Sequence, residues 1–458
     1  MRPLYIMHKH LNVNFASYKA TALIAGPLIL SNISQPLLGA VDTAVLGHLP
    51  NPAYLAAIAI AATVFSYFTW GFSFIRVGTL TLTAQISGGR DKSDLVGVLY
   101  RALILGFFIG SILILLHAPL LQFIYHLFDT SDEIKGFVGE YYKIRIMGAP
   151  ATFLTFAAIG WFLGLGKAHL TLYLQLFING LNIILDYLFV IEWGLSIAGA
   201  GLATCIAEYA GLLLAVIFII RLIRQDNIQW RYKYRDILVW AIYKKLMIFN
   251  VNLMIRTFLL LACFSYFTMI GARLGPDILA LNAVLINFFT FASFALDGIA
   301  DATQTLVGRA VGAKNIIAFK KAVRVAFILA AIMAFLACFI YALLYVPIIH
   351  LLTSISDIRL LSYDYAIWLI ILPMVSVWCF VFDGVFLGAG AHYSGIIRNA
   401  MVIVFIVYIL AMQILLTYFY NHGLWASLHV LMIVRALILW YFYPKIKAGM
   451  SQGDLKES

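Results

Sequence analysis

Long uninterrupted apolar runs recur along nearly the whole chain, and polar residues are concentrated in short stretches between them. Runs of about 18 or more apolar residues are long enough to cross roughly 30 Å of hydrocarbon. Backbone polar groups in lipid must be satisfied within the segment, so such runs form helices, and the period-two alternation of a membrane barrel is absent. The pattern predicts twelve transmembrane helices, at 17–46, 54–86, 97–127, 136–163, 169–191, 197–221, 244–271, 279–311, 321–350, 361–388, 395–420 and 423–444.

Basic residues are concentrated at alternate ends of these predicted spans. Of the 31 lysines and arginines, 23 lie at the set of ends that includes both termini, whereas Lys135, Arg273 and Arg359 lie clearly at the other set. Cytoplasmic loops of membrane proteins are enriched in Lys and Arg. We therefore predict that both termini are cytoplasmic and that the chain crosses the cell's inner (plasma) membrane an even number of times.

Composition supports the assignment to integral membrane proteins and indicates which binding partners to expect. Of the residues, 64% are hydrophobic and 11% are charged, which is too little charge for the surface of a soluble domain. The net charge of +11 lies beside the spans, so we expect the lipid bilayer and no nucleic acid as a partner. The four cysteines lie inside apolar runs and are interpreted as packing residues. We expect a monomer that needs no cofactor.

The two halves of the chain resemble each other at an offset of 224 residues. The offset predicts two parallel six-helix lobes: an N-lobe at 1–221, a basic cytoplasmic linker at 222–243 and a C-lobe at 244–458. Paired lobes are a known transporter plan, with the site between or inside the bundles. The matching pairs are Leu55 and Leu279, Ala56 and Ala280, Thr79 and Thr303, Gly88 and Gly312, and Gly199 and Gly423.

A polar stripe runs along the fifth predicted span. Asn179, Asn182 and Asp186 are spaced so that they share one face of a helix that is otherwise apolar. In the sixth span, Thr204 and Glu208 lie one turn apart. Intramembrane carboxylates are costly and usually face a cavity or a partner, although amides and hydroxyls often only link helices.

The first predicted span has a similar pattern. It carries Asn32, Gln35 and Asp42, together with Pro27 and Pro36, which remove backbone hydrogen bonds and permit a bend. Two carboxylates with amide and hydroxyl oxygens nearby could bind either a proton or Na⁺.

Buried charge in the second half has both signs. Asp297 and Asp301 share a face of the eighth span, Asp383 lies in the tenth, and Arg256 in the seventh could pair with one of these carboxylates. An internal ion pair and a substrate-binding role remain equal alternatives for Arg256 and Asp383. In the first half, Arg76 could neutralise a partner in the same way.

The repeat does not extend to the polar stripe. Asp42 maps to Tyr266, and the remaining stripe positions map to Ile406 and Leu410. This asymmetry predicts that the N-lobe holds the coupling ion.

At these positions the chain resembles the multidrug and toxic compound extrusion (MATE) family, and within it the DinF-like branch. The resemblance covers essentially the whole chain. In the first half its carriers are the segments 27–32, 39–48, 76–79, 182–186 and 199–204. In the second half they are 255–257, 272–275, 296–298, 307–310, 382–384 and 398–401.

The resemblance implies an antiporter with two six-helix lobes around a V-shaped cavity. Such proteins export organic, often cationic and amphiphilic compounds in exchange for H⁺ or Na⁺. The cation site of the relatives matches Asp42, Asn182, Asp186 and Thr204, and their helix bend matches Pro27.

A second acidic site, found in the NorM-like branch, is matched only in part. This chain has Asn252 and Arg256 near the position of that branch's seventh-span Glu, whereas Asp383 does match its tenth-span acid. Asn32, Gln35, Asn179, Arg76, Asn252, Arg256, Asp297, Asp301 and Asp383 are the further residues that could support the site or face substrate.

Three other functions are compatible with a membrane protein of this kind. A lipid-linked saccharide flippase of the same superfamily would carry more basic cavity residues. An intramembrane enzyme would need a metal or nucleophile constellation, and the ten histidines are scattered. A channel is disfavoured by the paired-lobe repeat. The residues do not distinguish H⁺ from Na⁺ coupling, although the DinF-like features favour H⁺.

Overall fold

The computed structural model describes residues 18–47, 53–128, 130–226, 228 and 240–452. Within these ranges the side chains at 35–47, 55, 240–242, 245, 451 and 452 are not described. The described elements are helices. In the first half they are α1 (Tyr18–Gly47), α2 (Ala53–Gly71), α3 (Phe74–Gly88), α4 (Leu95–Leu115), α5 (His117–Leu127), α6 (Asp132–Arg145), α7 (Ala149–Gly164), α8 (Ala168–Asp186) and α9 (Ser196–Gln225). In the second half they are α10 (Trp240–Arg273), α11 (Pro276–Gly312), α12 (Ile316–Leu352), α13 (Ser356–Tyr363), α14 (Ala366–Ala389) and α15 (Ser394–Gln452).

Ten stretches of the described residues are long and apolar enough to cross a membrane. The last of them, Ala391–Met450, contains two predicted spans, because the long helix α15 is interrupted at Tyr420, where the backbone is not helical (φ 52°, ψ −132°). Much of the outward surface is apolar: Phe107, Phe335 and Leu343 are more than half exposed. Lipid-facing helices have this surface, because hydrocarbon solvates Leu and Phe as well as a protein core does.

The chain forms two compact units. One comprises Leu30–Tyr243, and the other comprises the chain from Lys244 onward together with α1 up to Ile29. The predicted linker at 222–243 lies largely outside the described residues; α9 continues to Gln225, and α10 begins at Trp240.

Glycines allow the closest helix contacts, and these contacts recur at the offset of the repeat. In the first unit, a Cβ on Gly160 of α7 would lie 2.4 Å from the Arg76 carbonyl oxygen of α3. In the other unit, a Cβ on Gly384 of α14 would lie 2.4 Å from the Ala300 carbonyl oxygen of α11. Both members of the second pair lie 224 positions after those of the first. Small residues let membrane helices approach backbone to backbone, so the repeat predicted from sequence has a structural counterpart.

Two predicted spans are broken where proline removes a backbone donor. The span predicted at 97–127 divides at Leu116, because Pro119 has no N–H for the Leu115 carbonyl. The span predicted at 136–163 divides into α6 and α7 around a tight turn at Ile146–Gly148. Pro150 cannot donate to the Ile146 carbonyl, which instead accepts from the Ala149 N–H three residues on.

The span predicted at 54–86 also divides, at a turn of Phe72 and Ser73 between α2 and α3. The span predicted at 361–388 begins later, because a separate short helix, α13, precedes α14. Hydropathy alone does not register these breaks, since the interrupting residues are themselves largely apolar.

Candidate cation site and buried ion pairs

The polar stripe of α8 faces the interior of its unit. Asn182 and Asp186 are 0% and 1% exposed, whereas Ile184 between them is 58% exposed. The spacing of four residues places the two polar side chains one turn apart on the same face. Asp186 ends the regular part of α8, and a wider π-helical turn follows at Tyr187–Glu192. Such turns are frequent at functional sites because they re-aim the side chains beside them.

Asn182 connects α8 to α9. Its amide Nδ2 donates to the Thr204 hydroxyl at 3.3 Å, and that hydroxyl donates to the Ala200 carbonyl at 2.9 Å. The carbonyl oxygen Oδ1 of Asn182 is buried and accepts no hydrogen bond from the part of the chain that the structure describes. The structure thus brings together Asn182, Thr204 and, one turn along, Asp186.

Asn179 connects α8 to α1. Its Nδ2 donates to the Ser34 hydroxyl at 3.0 Å and to the Ser34 carbonyl at 3.3 Å, while its Oδ1 accepts from Gln175 at 3.0 Å. Asn179 is therefore fully occupied as a link between helices. Its contacts match the structural alternative, in which an amide holds membrane helices together.

The α1 residues of the predicted site are described unequally. Asn32 is half-buried, and the helix continues through Pro27 as one element. The backbone of Gln35 and Asp42 is helical, but their side chains lie outside the described residues. Arg76 is half-buried on α3.

A buried ion pair lies one turn from Thr204. Glu208 of α9 accepts two hydrogen bonds from Arg145 at the end of α6, at 2.7 and 2.9 Å, and each side chain is 12% exposed. Sequence reasoning named Glu208 but missed Arg145. The signal was present, because Arg145 is a basic residue inside a predicted span.

Asp383 of the other unit is held by two arginines. Its Oδ2 accepts from Arg256 of α10 and from Arg435 of α15. Asp297 lies close enough to interact electrostatically with both guanidinium groups. The structure thus forms the ion-pair alternative for Arg256 and Asp383, and it adds Arg435 as a second partner.

Asp301 and Asn252, the other candidate residues of the second half, are both buried. Asp301 is buried on α11. Asn252 is buried in a polar link, where it donates to the Ser394 hydroxyl and accepts from Arg398, both at 2.9 Å. These contacts occupy the Asn252 amide, which was expected to support the site or face substrate.

The side chains around Asn182 also indicate which kind of cation they could bind. Among the described residues, no cluster of three or more His, Cys, Asp or Glu side chains has a metal-binding arrangement. The donors near Asn182 are an amide, a hydroxyl and a carboxylate oxygen. That set fits a proton or a weakly held alkali cation better than a transition metal.

Comparison with known proteins identifies the class: the MatE family profile matches residues 27–188 and 253–419, and the chain belongs to this family of membrane transporters. The chain is 36% identical to the DNA damage-inducible protein F of Escherichia coli (strain K12), over 93% of this chain and 91% of that protein. It is 26% identical to Protein DETOXIFICATION 44, chloroplastic, of Arabidopsis thaliana, over 90% and 79% of the two chains. It is 24% identical to the multidrug export protein MepA of Staphylococcus aureus (strain MRSA252), over 44% and 45%.

Solved structures show the same fold. A MATE protein in the straight conformation superimposes with a TM-score of 0.85 at 19% identity, covering 95% of this chain and 97% of that one. A MATE protein in the bent conformation gives 0.82 at 18% identity, with the same coverage. A transporter of the MOP superfamily from Pyrococcus furiosus gives 0.83 at 19% identity, covering 95% and 96%.

These comparisons confirm several predictions. The chain is a multi-pass membrane protein with the fold of twelve helices in two lobes, and it is a multidrug and toxin efflux transporter of the MATE family rather than an enzyme. Its resemblance to the DinF-like branch is confirmed by the Escherichia coli relative.

Proposed function

We propose that this transporter exports small organic, often cationic and amphiphilic compounds in exchange for H⁺ or Na⁺, with the coupling ion held in the N-terminal six-helix lobe. Asp42 and Asp186 bind the ion, and Asn182 and Thr204 supply supporting oxygens. Both termini lie in the cytoplasm, the membrane is the plasma membrane, and the monomer is the working unit. Drug export is favoured over lipid-linked saccharide transport because a relative is named a multidrug export protein.

The observation that carries this proposal is the buried carbonyl oxygen of Asn182, which accepts no hydrogen bond from the described residues. It lies beside Thr204 and one turn from the buried Asp186, in an otherwise apolar helix. A buried acceptor without a donor costs free energy unless a ligand satisfies it. A bound Na⁺ would be coordinated by this oxygen, and a protonated Asp186 carboxyl would donate to such an acceptor. The equivalent positions of the other lobe, Ile406 and Leu410, are apolar.

The test is ethidium transport by proteoliposomes in which a pH gradient and a Na⁺ gradient are imposed separately. We expect Asp186→Asn and Asp42→Asn to abolish gradient-driven accumulation, because an amide cannot carry the exchanged proton or the negative charge that attracts Na⁺. Glu192→Gln makes the same chemical change at the exposed end of the π-helical turn, where Glu192 bonds only to Tyr187 (2.8 Å) among the described residues, and should leave transport intact. Undiminished driven transport by Asp186→Asn would refute the proposed role of the carboxylates.

A further inference from the structure

The Arg145–Glu208 pair lies against Gly148, at the turn between α6 and α7. A Cβ on Gly148 would lie 2.5 Å from Glu208 Oε2 and 3.2 Å from Arg145 Nη1, so a side chain there would displace the ends of both paired side chains. Arg145 is the last residue of α6, so its pairing with Glu208 joins α9 to the break between α6 and α7. Tyr209, next to Glu208 on α9, donates to the Met147 carbonyl at that break (2.9 Å).

Among the described residues, the polar and charged side chains that interact with Glu208 or with Arg145 come from three helices. Arg145 and, beside it, Tyr141 come from α6, Thr152 comes from α7, and Cys205 and Tyr209 come from α9 itself. Among these groups only Arg145 is charged at neutral pH. The ionised carboxylate is therefore balanced by one guanidinium, and adding a proton to Glu208 would leave that guanidinium without a counter-charge.

Arg145 contacts a second group while it is paired with Glu208. Its guanidinium lies over the ring of Phe65 at 4.9 Å, a cation–π geometry. A small cavity beside it is lined by Phe65, Thr69 and Thr152. If the arginine loosens from Glu208, its charge therefore keeps a favourable contact with the Phe65 ring.

Glu208 lies between the proposed cation site and the C-terminal end of α9. It lies one turn after Thr204 on α9, and Thr204 contacts Asn182 of the proposed cation site. With both termini cytoplasmic, as proposed, α9 leads from that site to a cytoplasmic end at Gln225. Glu208 therefore lies on the cytoplasmic side of the proposed site.

The pair is confined to one of the two repeats. The positions 224 residues after Arg145 and Glu208 are Leu369 and Met432, which cannot form an ion pair. The pair therefore occurs only in the lobe that carries the polar stripe, as far as the offset of 224 relates the two repeats.

We propose that Glu208 is the proton-release carboxylate of this transporter and that Arg145 is the positioning residue that expels its proton. The inference rests on the proposed function and deepens it, because it assigns H⁺ as the coupling ion. The proton that leaves the Asp186 carboxyl travels through water to the Glu208 carboxylate, about two helical turns nearer the cytoplasm. Arg145 loosens from that carboxylate meanwhile and keeps its contact with Phe65. When Arg145 returns, its positive charge favours the ionised carboxylate, and the Glu208 O–H proton passes to water on the cytoplasmic side. Arg145 stays protonated throughout, and no other bond is made or broken.

The experiment compares two ethidium measurements in proteoliposomes: accumulation driven by a pH gradient, and exchange of labelled for unlabelled ethidium without a gradient. The variants are Glu208→Gln and the double variant Glu208→Gln with Arg145→Gln. The double variant leaves no unpaired buried charge, so it separates proton chemistry from simple destabilisation. Glu192→Gln serves as the matched carboxylate control.

We expect both variants to lose driven accumulation and to keep exchange, whereas wild type and Glu192→Gln keep both. Driven accumulation by the double variant would show that the pair is structural and would overturn the inference. Loss of exchange by a double variant with the wild-type gel-filtration profile would also overturn it. Wild-type transport driven by Na⁺ but not by pH would refute this inference alone. Failure of wild type to accumulate ethidium under either gradient would refute the proposed function and this inference with it.

Discussion

Asp383 accepts hydrogen bonds from two arginines that different helices bring to it, and its side chain is 5% exposed. Burying charges is costly, and opposite charges held in contact offset part of that cost. The carboxylate that matches a proton-binding acid of another branch is therefore occupied here by guanidinium groups. This arrangement favours a structural role for Asp383 over a second ion site.

Replacing Asp383 by Asn should destabilise the protein severely, because it removes the carboxylate bonded to both Arg256 and Arg435. The two buried guanidinium groups would then share the negative charge of Asp297. Removing one partner of a buried pair typically costs about 3–5 kcal/mol of unfolding free energy. Thermal unfolding in detergent would measure the loss. Arg256→Met should cost less, since Asp383 keeps Arg435 and Arg256 is the more exposed arginine, at 17%. Equal stability of wild type and Asp383→Asn would contradict this account.

Residue-level prediction succeeded where one helix carries the whole signal. The spacing of Asn182 and Asp186 alone predicted a shared buried face, and both residues are buried. Pairings between distant segments were harder, because hydropathy contains no information about which helices meet. Arg145 lies 63 positions from Glu208, and Asn282 exchanges amide hydrogen bonds with Asn421, 139 positions away, at 2.8 and 3.1 Å.

At the scale of elements, the closest helix pairs depend on glycine. α7 meets α3 at Gly160, and α14 meets α11 at Gly384, in equivalent positions of the two repeats. Matching residues in the two halves gave the offset of 224 between these helices, and hydropathy predicted the helices themselves. It could not predict which face of each helix would be the contact, since Gly, Ala and Leu are all apolar.

Gly160→Ala should destabilise the first unit, because its Cβ would lie 2.4 Å from the Arg76 carbonyl oxygen and 2.9 Å from Thr79 Cβ. Overpacking of this kind typically costs about 1–3 kcal/mol. Gly180→Ala is the matched control on α8, where a Cβ meets no atom within 4 Å. It should be neutral, or stabilising by about 0.5–1 kcal/mol, because alanine favours the helix over glycine. A thermal-unfolding series in detergent that ranked the two variants in the opposite order would count against glycine-dependent packing.

At the scale of the whole molecule, the two repeats share a backbone plan but bury different charges. The first unit has Arg145 with Glu208 and the second has Arg256 and Arg435 with Asp383, and none of these positions is equivalent at the offset of 224. Equivalent packing with unequal chemistry is the pattern expected when one lobe carries ion coupling and the other does not.

The helix α1 belongs to both units, since its residues up to Ile29 group with the second unit and those from Leu30 with the first. The division falls two residues after Pro27, the proposed bend. Gly298 of α11 touches the backbone of this helix: a Cβ there would lie 2.8 Å from the Ile29 nitrogen and 3.0 Å from its Cα. Any movement of α1 relative to α11 must therefore change the contact between Ile29 and Gly298, where there is no space for a side chain.

Gly298→Ala should consequently impair transport more than stability. The added methyl group must displace α1 by several tenths of an ångström, and it lies next to Asp297 beside the Asp383 cluster. Gly26→Ala is the control on α1 itself, where a Cβ meets no atom within 4 Å. We expect Gly298→Ala to lower the rate of driven ethidium transport while Gly26→Ala retains it, with both variants giving the wild-type gel-filtration profile. Normal transport by a stable Gly298→Ala protein would contradict this prediction, because it would show that transport does not depend on the contact between α1 and Gly298.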